Sequence, residues 1–396
     1  MKLSDRINNL EESATLAMAA KAREFKSQGI DVISLSLGEP DFKTPQYIQD
    51  GAKKAIDSGL YFAYPPVNGY LDVREAIATK LRNENHIDYQ AENIVISNGA
   101  KQSIANVMYS LINPGDEVIV FSPYWVSYTA LIELCEGKSV FINGGIEDDF
   151  KATAKQLEAA ITSKTKAIIY SSPCNPTGSV FTRAELEAIA EVVKKHDILV
   201  IADEIYEHIN FSGDHVSMAS LPGMFEKTIT VNGFAKGFAM TGWRVGYIGA
   251  PKWIAQGCTK MQGQLTSANC SIAQRAALTA ITGDLTPTRE MTAAYLQRRE
   301  LVFKLLSEIP GVKTNLPKGA FYFFPDVSHY FGMKNGGTQI NNASDLCMYL
   351  LETAHVSLVT GEAFGDSNCV RISYAASTEN LKEALKRIKE ALSKLS

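Results

Sequence analysis

The sequence predicts an α/β protein, a large domain built on a mostly parallel sheet flanked by helices with a smaller domain beside it. Three observations carry that expectation. Short apolar, β-branched runs (Glu117 to Phe121, Lys166 to Tyr170, Ile198 to Ala202, Thr228 to Val231) alternate with stretches of helical periodicity. Several strand ends carry suggestive groups, namely Gly99, Asn175, Asp203 and Lys236, and parallel sheets bind ligands beyond the carboxyl ends of their strands. Finally, 396 residues exceed what a single small core organises.

Along the chain, an Ala-rich helix is expected from Ala14 to Lys26, ended by Gly29, followed by a strand from Val32 to Leu37. The loop Gly38-Glu-Pro-Asp-Phe42 is punctuated by turn formers. A helix runs from Pro45 to about Ser58. Two prolines then keep Tyr61 to Gly69 out of a helix. Asn93 to Ser97 reads as a buried strand, Asn98-Gly-Ala-Lys101 as a turn, and Gln102 to Ile112 as a helix whose free N–H groups suit an anion. The strand Glu117 to Phe121 ends in Ser122-Pro-Tyr-Trp125. Thr182-Arg-Ala-Glu185 is a capping box opening a helix to about His196. Helical segments lead from Gly249 to Ile281, and Thr282 to Pro287 marks a boundary. Beyond it lie a long helix (Arg289 to Glu308), an aromatic strand (Lys318 to Phe324) and a strand with an internal arginine (Cys369 to Tyr374). The last helix sets Leu381, Leu385, Ile388, Leu392 and Leu395 on one stripe.

Three charges stand out because an apolar setting penalises them. Lys236 lies in Gly233-Phe-Ala-Lys-Gly-Phe-Ala239, where desolvation lowers an amine's pKa and makes a neutral nucleophile able to form a Schiff base with an aldehyde. A snorkelling surface lysine is the other reading. Asp203 follows five apolar residues and calls either for a cationic partner or for a helix N-cap role. Arg371 suits a bidentate carboxylate, whether a ligand's or a structural one. Trp125, at a strand end, fits either core packing or a flat platform for a ring.

Composition narrows the classes. A net charge of −4 gives no reason to expect nucleic acid or an anionic membrane. No apolar run approaches membrane-spanning length, and the N-terminal residues lack a signal-peptide core. The six cysteines are scattered without a Cys-x-x-Cys pair, so free thiols in a reducing cytoplasm are expected rather than disulfides or zinc. The histidines are dispersed too, and no metal site is expected.

The set Gly38-Glu-Pro-Asp-Phe42, Pro173-Cys-Asn175-Pro-Thr-Gly178, Asp203-Glu-Ile-Tyr206, Lys236 with Met240-Thr-Gly-Trp-Arg244, and Arg371-Ile-Ser-Tyr374 resembles the class I/II aminotransferases, most closely their bacterial aspartate-using branch. These are pyridoxal 5'-phosphate enzymes of fold type I. The resemblance spans nearly the whole chain. It implies a seven-stranded sheet in a large domain (46–285) and a smaller α+β domain formed by 1–45 and 286–396. It further implies that Lys236 forms the Schiff base and shuttles a proton, Asp203 pairs with the pyridinium nitrogen, and Tyr206 and Asn175 bond the ring oxygen. Trp125 stacks on the ring. Gly99, Ala100, Lys101 and Arg244 border the phosphate, joined by Tyr64 from the other subunit of a homodimer. Arg371, with Asn175 and Gly38, clamps the substrate α-carboxylate, while Ser13, Thr15 and Lys101 suit the distal carboxylate of an acidic amino acid. A cis peptide before Pro176 is also implied.

The implied reaction is a ping-pong transamination between aspartate and 2-oxoglutarate. Another amino-donor specificity (aromatic, alanine or prephenate) and a β-lyase on the same scaffold are the alternatives. A non-catalytic regulatory module would require a DNA-binding segment that this sequence does not display. Two departures from the family pattern stand out. Gly233 occupies the place of a serine that many relatives use on the phosphate. Glu11 and Glu12 are acidic where prephenate-using relatives tend to be basic, which disfavours that activity.

Overall fold

A computed structural model describes residues 2–396. Seven strands form the main sheet: β1 (Ile94–Ser97), β2 (Glu117–Ser122), β3 (Lys138–Asn143), β4 (Thr165–Ser171), β5 (Leu199–Asp203), β6 (Thr228–Gly233) and β7 (Gly246–Gly249). Their spatial order is β1-β7-β6-β5-β4-β2-β3. Only β7 runs antiparallel to its neighbours, so the sheet is mostly parallel, as expected. The four central apolar runs are buried on both faces, which explains why they read as continuous rather than alternating.

Helices cover both faces. One layer, including Ala100–Leu111 and Lys252–Leu265, packs on Val95, Val120, Ile169 and Ile229. The other, including Arg183–Lys194, packs on Ile119, Ile168 and Val200. The capping box forms as the sequence implies: Thr182 N–H donates to Glu185 Oε2 at 2.7 Å and Glu185 N–H donates to Thr182 Oγ1 at 3.3 Å. A helix over Leu71–Asn85, absent from the sequence reading, completes a third apolar cluster with Gln46–Asp57 and Ser271–Thr282. Its buried face includes Lys80 and Asn85, which blur the apolar period.

Another core collects Ile33, Leu35 and residues from Met291 to Leu395, with Tyr206, Ile209 and Ala239 reaching into it from the large part. The C-terminal helix Thr378–Leu392 buries Leu381, Leu385, Ile388 and Leu392 there, each worth about 1.5–3 kcal/mol. We propose on this basis that 1–45 with 286–396, and 46–285, are the two domains.

Two strands are shorter than expected. The Val32 to Leu37 run is a ladder only at Ile33–Ser34, paired in parallel with Val356–Ser357. The aromatic run narrows to Tyr322–Phe323. Upstream, Lys318 and Gly319 donate their N–H groups to Gly178 O, and Ala320 donates to Ile209 O, so these residues bind loops instead of a strand.

Candidate active site

The carboxyl ends of β4, β5 and β6 open, together with the start of the helix Ala100–Leu111, into a cleft of about 610 Å³. Residues far apart in the chain meet there: Lys236, Asp203, Tyr206, Asn175, Trp125, Ala100, Lys101 and Arg244 from the large part, Gly38 and Arg371 from the other, and Ser13 and Thr15 from the N-terminal helix. Tyr64 is not among the lining residues and is 94% exposed. Gly99 lies just beneath, at φ +83°, and a Cβ on it would stand 2.5 Å from Arg244 Nη2.

Asp203 is the last residue of β5, in register with Ser171 and Val231, and its side chain is buried. Tyr128 donates its hydroxyl to Asp203 Oδ2 at 2.6 Å, and the Ile205 N–H donates to Oδ1 at 3.3 Å. Burial pushes the Asp203 pKa up to about 6, against the pull of those two donors and the Lys236 cation. The helix N-cap alternative falls away, because Asp203 caps no helix and β5 is followed by turns. Trp125 presents its face near Lys101, whose Nζ is 5.2 Å from the ring centroid, and meets Tyr128 edge to face.

Lys236 is half-buried, and desolvation draws its pKa down to about 8, with Glu39 and Asp203 opposing. Its Nζ donates to Gly38 O at 2.5 Å. The snorkelling alternative therefore gives way to an amine turned inward.

Arg371 is 2% exposed and clamped: Nη1 donates to Asn175 Oδ1 at 2.9 Å and Nη2 to Ser36 O at 2.6 Å. Its Nε is buried without a hydrogen-bond partner, and the guanidinium sits 4.7 Å from the ring centroids of both Tyr322 and Phe364. No structural carboxylate pairs with it among the described residues, which removes the structural ion-pair reading. The Asn175–Pro176 peptide is cis, as the resemblance implies.

At the exposed mouth, Arg244 adopts φ +57°, a left-handed conformation that costs a non-glycine residue about 1–2 kcal/mol. It folds the side chain back over the 98–101 turn, where Nη2 donates to Asn98 O at 3.2 Å and Nη1 to Thr241 O at 3.0 Å. The first N–H groups of the helix Ala100–Leu111 have no intrahelical acceptor and face the same region. Gly233 has a steric reason: a Cβ there would lie 2.8 Å from Gly246 Cα and 2.9 Å from Val245 O.

Sequence reasoning missed Ser36, Tyr128 and Tyr322. A tyrosine inside an apolar run looks like core, and nothing in its spacing announces a polar contact. Tyr322 Oη lies 2.6 Å from Tyr206 Oη.

A cleft with a desolvated amine, a buried carboxylate across from it and a cationic rim accommodates an aldehyde-bearing, cationic heterocycle with an anionic tail. The family profile described as "Aminotransferase class I and II" matches residues 30–388. The chain belongs to the class I and II aminotransferases. A Petunia hybrida protein named bifunctional aspartate aminotransferase and glutamate/aspartate-prephenate aminotransferase is 46% identical, over 99% of this chain and 83% of that one. The solved aspartate aminotransferase of Rhizobium meliloti superposes with a TM-score of 0.96 at 39% identity, covering 100% of both chains. That of Thermus thermophilus, solved with maleate, gives 0.93 at 38% identity over 99% and 100%.

Enzymes of this aminotransferase family use pyridoxal 5'-phosphate, and the residues present fit it. Lys236 would supply the amine, Asp203 the anion for a ring nitrogen, and Arg244 with the helix N-terminus the phosphate donors. Gly38 and Gly99 leave room where a Cβ would strike Tyr322 and Arg244.

Proposed function

We propose that this aminotransferase moves the amino group of aspartate to 2-oxoglutarate in a ping-pong cycle. The observation that carries the reading is that two cationic side chains beyond the Lys236 amine and Arg244, those of Arg371 and Lys101, line one cleft. Buried Arg371, with an unpartnered Nε, lines the cleft together with Lys101, Ser13 and Thr15. A dicarboxylate fits such a pair, and each charge-assisted bond contributes about 1.5–3 kcal/mol. The names and contents of the relatives, aspartate aminotransferases and a maleate complex, support it.

Pyridoxal phosphate, when bound, supplies an electron sink for the charge left on the substrate α-carbon. Asp203 holds the proton on the ring nitrogen. Lys236 would hold the cofactor through its amine and would move the proton at the substrate α-carbon. Tyr206 and Asn175 would hydrogen-bond the ring's phenolic oxygen, and Trp125 would stack on the ring. Gly99, Ala100, Lys101 and Arg244 hold the phosphate, and exposed Tyr64 reaches the equivalent site of a second copy, making a homodimer the working unit. Arg371, steadied by Asn175 and helped by the backbone at Gly38, clamps the α-carboxylate. Six free cysteines, five of them buried, support a cytoplasmic setting.

The name of the Petunia relative, which includes a prephenate activity, favours prephenate as a second amino acceptor. Exposed Glu11 and Glu12, acidic just ahead of the cleft-lining Ser13, work against it. Absorbance changes of the cofactor-loaded protein on mixing with aspartate, glutamate, phenylalanine or alanine test the main reading, and prephenate added to the aminated form tests the second. Aspartate is expected to react fastest. A faster reaction with phenylalanine or alanine would reject the acidic-substrate reading.

A further inference from the structure

We propose that Tyr322 is a positioning residue for amino transfer, donating its phenol hydrogen to Tyr206 Oη and thereby turning the Tyr206 hydrogen into the cleft. The inference rests on the reading that Tyr206 acts at the cofactor's phenolic oxygen.

The two hydroxyls are 2.6 Å apart and both rings are buried, Tyr206 at 3% and Tyr322 at 0% exposure. A phenol has one hydrogen to donate. Only one of the two can therefore lie between the oxygens, and whichever residue gives it away has none left for the cleft. The surroundings decide the direction. Among the described residues, Tyr206 Oη is the acceptor within reach of the Tyr322 hydroxyl, because the oxygen is otherwise pressed against the backbone of Gly38, where a Cβ would stand 2.4 Å away. Tyr206 lines the open cleft and has a second direction available. Burial raises both phenols, Tyr206 further than Tyr322, and the Arg371 guanidinium, 4.7 Å from the Tyr322 ring centroid, opposes the rise, which leaves Tyr322 the stronger acid of the pair and the better donor. Donation into Tyr206 Oη polarises its own O–H and strengthens the bond it makes in turn.

The pair joins parts of the chain with separate origins. Tyr206 follows β5 of the main sheet, while Tyr322 sits on the short strand Tyr322–Phe323, paired with Val370–Ser373, which carries Arg371. Tyr322 thus touches both the residue that clamps substrate and the residue that faces the ring oxygen. Its ring meets Tyr206 edge to face at 5.8 Å. Tyr322→Phe keeps that ring, and Arg371 above it, and removes only the hydroxyl.

The test is a pH titration of the visible absorbance of the pyridoxal phosphate-loaded enzyme. A hydrogen bond to the phenolic oxygen favours its anionic form, so losing donor strength raises the midpoint. Tyr206→Phe should raise it most and Tyr322→Phe by about 0.5–1 unit. The double variant should match Tyr206→Phe alone. In steady state, Tyr322→Phe should lose about three- to tenfold in kcat with KM for aspartate nearly unchanged. Site-specific 3-fluorotyrosine at position 322, a more acidic phenol, should lower the midpoint, and it decides the matter if Tyr322→Phe does not fold.

A Tyr206→Phe shift with none from Tyr322→Phe or the fluorinated residue would overturn the Tyr322 assignment alone. Additive shifts in the double variant would do the same. An unshifted Tyr206→Phe would remove the role given to Tyr206, and this one with it.

Discussion

Arg371 Nη1 donates to Asn175 Oδ1 at 2.9 Å, while its Nε, equally buried, has no partner. A guanidinium fixed in place before substrate arrives loses little freedom on binding, so its bonds are available in full. Replacing Arg371 with Ala should lower kcat/KM for aspartate by about 10²–10⁴-fold, the equivalent of two charge-assisted bonds. Steady-state kinetics check this, and a loss under threefold would mean that another group holds the α-carboxylate.

Asp203 links the site to stability. Its carboxyl titrates near 6 in the folded protein, against 3.8 for an unburied one. The folded pKa is raised, so its stabilising contribution is complete below about pH 4 and is lost as pH rises through 6. Without cofactor, Asp203→Asn should therefore gain in melting temperature relative to wild type between pH 4 and 6, with a constant gap above. The effect is about 3 kcal/mol at most. Calorimetry of the cofactor-free proteins measures it, and a gap that does not change with pH would refute the burial argument.

Behind the site, Lys80 pairs with Glu207, and Asn85 Nδ2 donates to Glu207 Oε2 at 2.7 Å, all three buried. Although desolvation pushes the Glu207 carboxyl up, Lys80, with His208 and His215, holds it well below the usual range. Lys80→Met should cost about 3–5 kcal/mol at pH 7, because an unpaired carboxylate stays behind. The folded pKa is depressed, so the pair's stabilisation is present above about pH 4.5 and falls away in acid. Denaturant melts at pH 7 and pH 4 should show the deficit shrinking. A deficit under 1 kcal/mol at pH 7 would show that the pair contributes little.

The serine missing at position 233 cannot simply be restored. Gly233 and Gly246 face each other across β6 and β7 with no space for a side chain. Gly233→Ser should destabilise the protein by about 1–3 kcal/mol and leave pyridoxal phosphate affinity no tighter. Equilibrium dialysis and melting curves together test this, and tighter binding in a stable variant would disprove it.

Charged residues made much of this site readable. Lys236, Asp203 and Arg371 each break an apolar run, and such a break is costly unless something answers it. Glycine punctuation likewise placed the 98–101 turn. Tyr128 and Tyr322 escaped notice because a tyrosine satisfies a core with its ring and a site with its hydroxyl, leaving no mark in the pattern. The helix Leu71–Asn85 escaped for the opposite reason, since Lys80 and Asn85 face inward and break its apolar stripe. The histidines and glutamates, dispersed in sequence, also converge: Glu204, Glu207 and His215 bring ligand atoms within 4.8 Å of one another. Only the return of the chain after β5 brings them together, and no local spacing could encode it.

Lys236 Nζ holds Gly38 O in the resting chain. An amine given over to an aldehyde carbon would no longer keep that grip, so the same nitrogen that would hold the prosthetic group is the one that ties down the backbone at Gly38 when the group is away.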